Sequence, residues 1–394
     1  GGAGPLPDLG GYRFTSKHAG EVKNHLLSGI TFPTWAGVLW EHWDGVDLHW
    51  SWHRVVFLTC LSLFTSAVAL LERLIYGRAV ERQVLHPRPV FILGHPRTGT
   101  THIHNMLSMD KRFAYVNTFQ AGFPSTFLLL ERFSWLLLPL IDKTRPMDNM
   151  PLHFDLPQED EIATNVLSGG KSAYMPIVFM RQWRRFERYY TCDGPACSGG
   201  DRAAWKGAFT HLLKKVTLRA GNDRPLLIKS PVHTAKVPLL LEMFPEAAFI
   251  CVHRNPYEVF QSAAHMADSY YWFCYLAQPR DEDVEDFILS QGELIHDRYI
   301  ASRALLRPQH HVEVAFRELE GDALETVEGI YKKFGWGDFE VVRATYRAYC
   351  GGLRDFRKNN HRALEVEQAR VVRRRWRRVF DDFGYDTDYS PYVA

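Results

Sequence analysis

Pro89-Val90-Phe91-Ile92-Leu93-Gly94-His95-Pro96-Arg97-Thr98-Gly99-Thr100-Thr101 is the stretch on which the fold turns. Phe91, Ile92 and Leu93 have the unbroken apolarity of a strand buried on both faces, and Ile103, Met106 and Leu107 return at helical spacing beyond the polar turn. The segment reads as strand, loop, helix. Backbone N–H groups at a helix start have no partner within the helix, and the helix dipole adds partial positive charge there. An anion is therefore the natural guest of the loop. Gly94 and Gly99 copy the glycine spacing of the nucleoside-triphosphate loop, but Thr100 stands where that motif needs lysine. Arg97 can supply the missing charge, and Thr98, Thr100 and Thr101 offer hydroxyl donors. Taken alone, the same pattern also fits an ordinary glycine turn before a helix.

Two later stretches extend the reading. Pro225-Leu226-Leu227-Ile228-Lys229-Ser230-Pro231 is a second buried strand, followed by Val237, Leu240, Leu241 and Phe244 at helical spacing. Ala248-Phe249-Ile250-Cys251-Val252-His253-Arg254-Asn255-Pro256 is a third, running into a helix that carries Ser262. Strands alternating with helices predict an α/β protein, a P-loop-like three-layer fold with a central parallel sheet flanked by helices. Ligands of such sheets collect at the carboxyl ends of the strands, which is where Arg97, Lys229 and Arg254 are predicted to lie.

At these residues the chain resembles the sulfotransferases that use 3'-phosphoadenosine 5'-phosphosulfate (PAPS). His95-Pro96-Arg97-Thr98-Gly99-Thr100-Thr101 resembles the family's loop for the 5'-phosphosulfate, and Arg254-Asn255-Pro256 followed by Ser262 resembles the segment that holds the 3'-phosphate. Lys229 resembles a lysine of the tyrosylprotein-type members. The resemblance spans roughly Pro89 to Tyr385. It implies PAPS as co-substrate, PAP as product and a hydroxyl acceptor, with Arg97, Thr98, Gly99, Thr100, Thr101, Arg254 and Ser262 binding the nucleotide. A late basic loop closes over the nucleotide in the family, which makes Lys358, His361 and Arg362 further candidates. Relatives use a histidine or a glutamate as base. Glu159, Asp160, Glu161, His153 and His265 compete for that role, and the likeness around Lys229 favours Glu159, placed on the first turn of a helix starting near Asp155.

The transfer needs the acceptor oxygen, sulfur and leaving oxygen in line, and positive charge where the leaving phosphate becomes anionic. Arg97, Lys229 and the loop N–H groups are suited to that. A sulfuryl group carries less negative charge than a phosphoryl group, so no metal is expected. Two rivals share the features: a nucleotide kinase, against which Thr100 speaks, and a non-catalytic membrane-associated nucleotide binder.

With 394 residues, 46% hydrophobic and 23% charged, the chain is long enough for a large core, and a formal net charge of +2 argues against a nucleic-acid partner. Six cysteines are few; Cys192 and Cys197 read as free thiols on a surface loop. The chain opens without methionine on a glycine-rich stretch that reads as a processing boundary, and no signal peptide is recognisable. Residues 1–85 read as a Trp-rich, amphipathic helical region and 86–394 as the catalytic domain. Trp35, Trp40, Trp43, Trp50 and Trp52 crowd the first, and residues 55–71 carry no charge. Thr59, Ser62, Ser66, Ala69 and Arg73 form a small or polar stripe opposite Phe57, Leu61, Phe64, Val68 and Leu71, the pattern of an amphipathic helix packed on the catalytic domain. An interfacial membrane helix is the alternative and a true span the third. The expected location is cytoplasmic or peripheral to a membrane, with a Golgi-type lumen as alternative. Residues 123–141 are strongly apolar and hint at a lipid acceptor, though carbohydrate or another small hydroxyl compound stays open; the oligomeric state is not legible.

Overall fold

Among the described residues, five short strands build a wholly parallel sheet in the order β2–β3–β1–β4–β5: β1 (Val90–Gly94), β2 (Ala114–Tyr115), β3 (Leu226–Lys229), β4 (Ala248–His253) and β5 (His311–Ala315). The computed structural model describes residues 8–394 except 19, 141, 143, 146, 149, 222–223 and 353–360, and the backbone alone of 137–140. Side chains alternate across the pleat. Phe91, Leu93, Ile228, Phe249 and Cys251 enter the larger of two cores, while Val90, Ile92, Leu227, Ile250 and Val252 enter the smaller one behind the sheet. Burial on both faces is why these strands read as continuous apolar runs. Phe91 stacks on Phe249 at 5.5 Å in the larger core. On the opposite face the helix after β1, Thr100–Ser108, buries Ile103, Met106 and Leu107.

Because β3 and β4 flank β1 on opposite sides, the chain reverses its winding direction at β1. That leaves a crevice at the carboxyl end of β1, which the Gly94–Thr101 loop fills from below. Lys229 ends β3, Arg254 follows β4 and Phe316 follows β5, so all three reach the same edge.

Several local expectations change. The strand Ala114–Tyr115 is only two residues long, and the helix expected from Asp155 begins at Asp160. The reason is competition for backbone bonds: the Gln158 N–H donates to the Val116 carbonyl at 2.8 Å and Pro157 bridges Asn117, so the approach to the helix extends the sheet edge instead. Glu159 consequently sits at the N-cap position, not on the first turn. Cys192 and Cys197 are free thiols, as expected, but both are buried.

The N-terminal region contributes α1 (Phe32–His42) and α2 (Leu48–Arg82), the latter capped by Asp47, which accepts from the His49 N–H at 3.1 Å. Leu27, Trp35 and Leu58 belong to the same core as Phe91. An amphipathic helix ordinarily turns its apolar side inward. In α2 the buried positions are Ser51, Arg54, Leu58, Ser62, Thr65, Glu72 and Val80. Arg54 donates to the carbonyls of Glu21 (3.0 Å), His18 (3.1 Å), Tyr275 (2.6 Å) and Trp272 (2.5 Å), and Glu72 pairs with Lys215.

Candidate active site

The loop is shaped by residues in left-handed conformations. Gly99 has φ 96°, and a Cβ there would run into the Phe316 ring. Gly94, with φ 144°, leaves no room for a Cβ against the Val252 carbonyl and Thr98. Arg97 adopts φ 77° without being glycine, a strained choice of the kind that collects at functional sites. Thr98 turns inward and donates to the His95 carbonyl at 2.8 Å, so its hydroxyl braces the turn and does not face the cavity. The Thr234 hydroxyl accepts from the Gly94 N–H at 2.7 Å, tying the loop to the segment after β3.

A cavity of about 570 Å³ opens beside the loop, and Arg97, Gly99, Thr100, Thr101, Arg254 and Ser262 all line it. Residues far apart in sequence meet here. Arg97 Nε donates to Ser262 Oγ at 3.0 Å, and Arg254 Nη1 donates to the Arg97 carbonyl at 3.3 Å with its guanidinium 4.4 Å from the Phe316 ring centre. Each cation holds an acidic partner: Asp148 on Arg97 (3.1 Å), Glu258 on Arg254 (2.7 Å) and Glu159 on Lys229 (2.7 Å). His361 also lines the cavity, and its Nδ1 is buried without a hydrogen-bond partner among the described residues. Burial, then the nearby His265, Arg97 and Arg254, hold its pKa down to about 4, so it is neutral at pH 7.

Glu159 is gripped at both oxygens. Lys229 Nζ donates to Oε1 and also lies 3.4 Å from Thr101 Oγ1, while the Tyr174 hydroxyl donates to Oε2. Burial raises the carboxyl pKa, but the Lys229 charge and the two hydrogen bonds outweigh it, leaving Glu159 below the usual carboxylate range. Burial lowers Lys229 and Glu159 opposes that shift, which describes an ion pair. A carboxylate that stays ionised next to a cation at the loop's edge can accept a proton, and the cation can neutralise a leaving anion.

The competitors for the base lie elsewhere. Asp160 accepts from Ser230 at 2.9 Å and contacts His233 at 2.7 Å, and Glu161 accepts from Ser172 at 2.7 Å and from Trp205. Asp160, Glu161 and His233 are close enough to hold a cation, yet these oxygens are already occupied by hydrogen bonds. His153 faces Asp155 at 3.2 Å on the exterior, and the His265 ring lies 5.4 Å from that of His361. Arg362 does not line the cavity: its guanidinium lies 5.6 Å from the Tyr12 ring centre and pairs with Glu365. Lys358 lies outside the described residues. Sequence reading missed Tyr174, which carries no local signal, and Asp148, whose spacing from Arg145 was the one available hint; that pair sits at 3.4 Å.

The family profile described as the Sulfotransferase family matches residues 89–340. This chain belongs to the sulfotransferase family. It is 32% identical over 361 residues to the omega-hydroxy-beta-dihydromenaquinone-9 sulfotransferase Stf3 of Mycobacterium tuberculosis (strain CDC 1551 / Oshkosh), covering 92% of this chain and 91% of that one. The Stf3 protein of Mycobacterium bovis matches to the same extent. Among solved structures, sulfotransferase STF1 from Mycobacterium tuberculosis H37Rv superposes with a TM-score of 0.63 at 15% identity, over 88% of this chain and 91% of that one. STF9 from Mycobacterium avium gives 0.63 at 14% identity, over 93% and 99%. The fold is thus that of a sulfotransferase, and the family's general activity is PAPS-dependent sulfuryl transfer. The kinase and non-catalytic rivals are set aside.

Proposed function

We propose that this sulfotransferase carries the sulfuryl group of PAPS to the hydroxyl of a lipid acceptor, with Glu159 as base and Lys229 and Arg97 stabilising the leaving phosphate. The observation that carries the chemistry is the Glu159–Lys229 pair at 2.7 Å beside Thr101 of the loop. The residues present suit the nucleotide. The two glycines leave the loop open to an anion, Arg97 and the loop N–H groups suit the 5'-phosphosulfate, and Arg254 with Ser262 and His361 suits the 3'-phosphate.

The counter-ions now on Arg97, Arg254 and Lys229 hold these cations in place until phosphate and sulfate oxygens replace them. When Lys229 turns to the leaving oxygen, one carboxylate oxygen of Glu159 is released toward the acceptor hydroxyl. The proton passes to Glu159, the acceptor oxygen forms its bond to sulfur, and the sulfur–phosphate oxygen bond breaks with its electron pair staying on PAP. Side-chain cations suffice for this charge, so turnover is expected to survive a chelator; loss on chelation with rescue by magnesium would overturn that.

The acceptor class rests on the relative. Stf3 is named for a hydroxylated menaquinone, and the likeness runs over nearly the whole length of both chains. In keeping with an apolar acceptor, an aromatic side chain lies against Glu159: the buried Tyr174, whose hydroxyl donates to it. Incubation with PAPS and either hydroxylated isoprenoid quinones or carbohydrates, followed by mass spectrometry, tests this. Sulfated quinone is the expected product; sulfated sugar with untouched lipid would overturn it.

A further inference from the structure

Helix α2 is built inside out. Trp52, Val56, Leu63, Leu70 and Leu74 recur at steps of four and seven and are all exposed, Leu74 to 75%. Phe64, Leu71 and Ile75 widen the ridge to a sector of about 140° at 100° per residue. Nearby, Trp40 is 90% exposed, and Phe133, Trp135 and Leu136, just beyond a short helix that packs on α2, are exposed as well. An apolar ridge of this length exceeds what a monomer leaves to water without a use.

By length and composition α2 could cross a membrane. Its inner face rules out that arrangement. Arg54 is bonded to carbonyls of the catalytic core and Glu72 to Lys215, also in that core. These anchors bracket the whole uncharged stretch and lie about 27 Å apart along the axis at 1.5 Å per residue. A helix fastened to the folded core at both points lies along its side with one face outward.

We infer that this face docks the sulfotransferase on the surface of an anionic phospholipid bilayer. Two features select a bilayer. Tryptophans at the edges of the ridge, Trp40, Trp43 and Trp52, are the residues that settle at a membrane–water boundary. At its far end Arg73, Arg78, Arg82 and Arg88 are exposed and form no salt bridge among the described residues, against one exposed acid there, Glu81. An apolar stripe continued by arginines matches acyl chains beneath anionic headgroups. The surface would let an enzyme meet a lipid acceptor without extracting it into water.

Vesicle flotation of the full chain tests this without turnover, so the result is independent of the acceptor assignment. The chain is expected to float with phosphatidylcholine vesicles containing phosphatidylglycerol and less with phosphatidylcholine alone. The triple variant Leu63→Gln/Leu70→Gln/Leu74→Gln should lose at least about tenfold in partition, since its three sites are exposed and removing each apolar side chain forfeits transfer energy. Arg78→Ser/Arg82→Ser should weaken binding to the anionic vesicles only, and most at low salt. Failure of the parent to bind either vesicle, or equal binding by the triple variant, overturns the inference. So does a dimer seen by ultracentrifugation that the triple variant dissolves while vesicle binding is absent, an outcome that assigns the ridge to a second copy.

Discussion

The carboxyl edge of the sheet and the inner face of α2 both bury charge, but in opposite ways. At the sheet edge Arg97 and Arg254 hold single carboxylates beside an open cavity, and Lys229 holds Glu159 just behind the cavity-lining Thr101, partners that an incoming anion can replace. Under α2, Arg54 is bonded to main-chain carbonyls, which no ligand can displace, and Glu72 is shut against Lys215. A cation facing a cavity through an exchangeable counter-ion is suited to binding. A cation satisfied by the backbone is a fastening, and here it fixes which side of a helix meets solvent.

The sharpest way to break this contrast is at Glu159. Glu159→Gln should lower kcat by about a hundredfold or more while calorimetry finds PAP binding close to parent, because a base acts on the proton and not on the nucleotide. If turnover survives in Glu159→Gln but is lost in Asp160→Asn or His153→Ala, the base moves to that residue. Arg54→Ala should act on stability alone: several buried carbonyls lose their donor at a cost of about 1–3 kcal/mol each, so the unfolding midpoint falls clearly while PAP affinity in the folded fraction is unchanged. Arg254→Ala should do the reverse, weakening PAP by roughly tenfold or more with little change in melting, as expected when a charge-assisted bond worth about 1.5–3 kcal/mol is lost. A variant at either arginine that moved both readouts equally would erase the distinction between binding and fastening.

Two pH experiments sharpen it further. Glu159 is held below the usual carboxylate range, so its base form persists as pH falls through 6 and 5, and the acid limb of kcat/KM should appear only below that range. A limb near pH 6.5 would instead report a histidine. The smallest effect belongs to His361. It is neutral in the free protein above a pKa of about 4, and a neighbouring phosphate should raise that value, so PAP should bind a few-fold tighter at pH 5.5 than at pH 7.5 with proton uptake. Calorimetry in buffers of different ionisation enthalpy measures the uptake, and His361→Ala should abolish it.

Much of the sheet's carboxyl edge was legible because its signals are local. The loop, the strand ending in Lys229 and the strand running into Arg254 each announce themselves within a few residues, through two-sided burial and helix-start chemistry. Their meeting point followed from parallel topology. The second grip on Glu159 was not legible, since Tyr174 reaches it across 15 residues with no periodicity to mark the pairing. The placement of Arg362 was not legible for a related reason: a cluster of cations in one loop does not say which of them the fold turns toward Tyr12 and Glu365 and which it leaves at the cavity.

What the amino-acid sequence by itself determined is the sulfotransferase core: a parallel sheet, a glycine-bearing loop that opens a helix and the cations at its edge, all consequences of short-range patterns. The direction in which α2 faces was decided by tertiary structure alone. Its small and polar stripe lets the helix approach the core closely enough for Arg54 to reach buried carbonyls and Glu72 to reach Lys215, and those bonds exist only once distant segments have come together. An amphipathic pattern defines two faces, and which one is buried depends on what the rest of the chain presents to it.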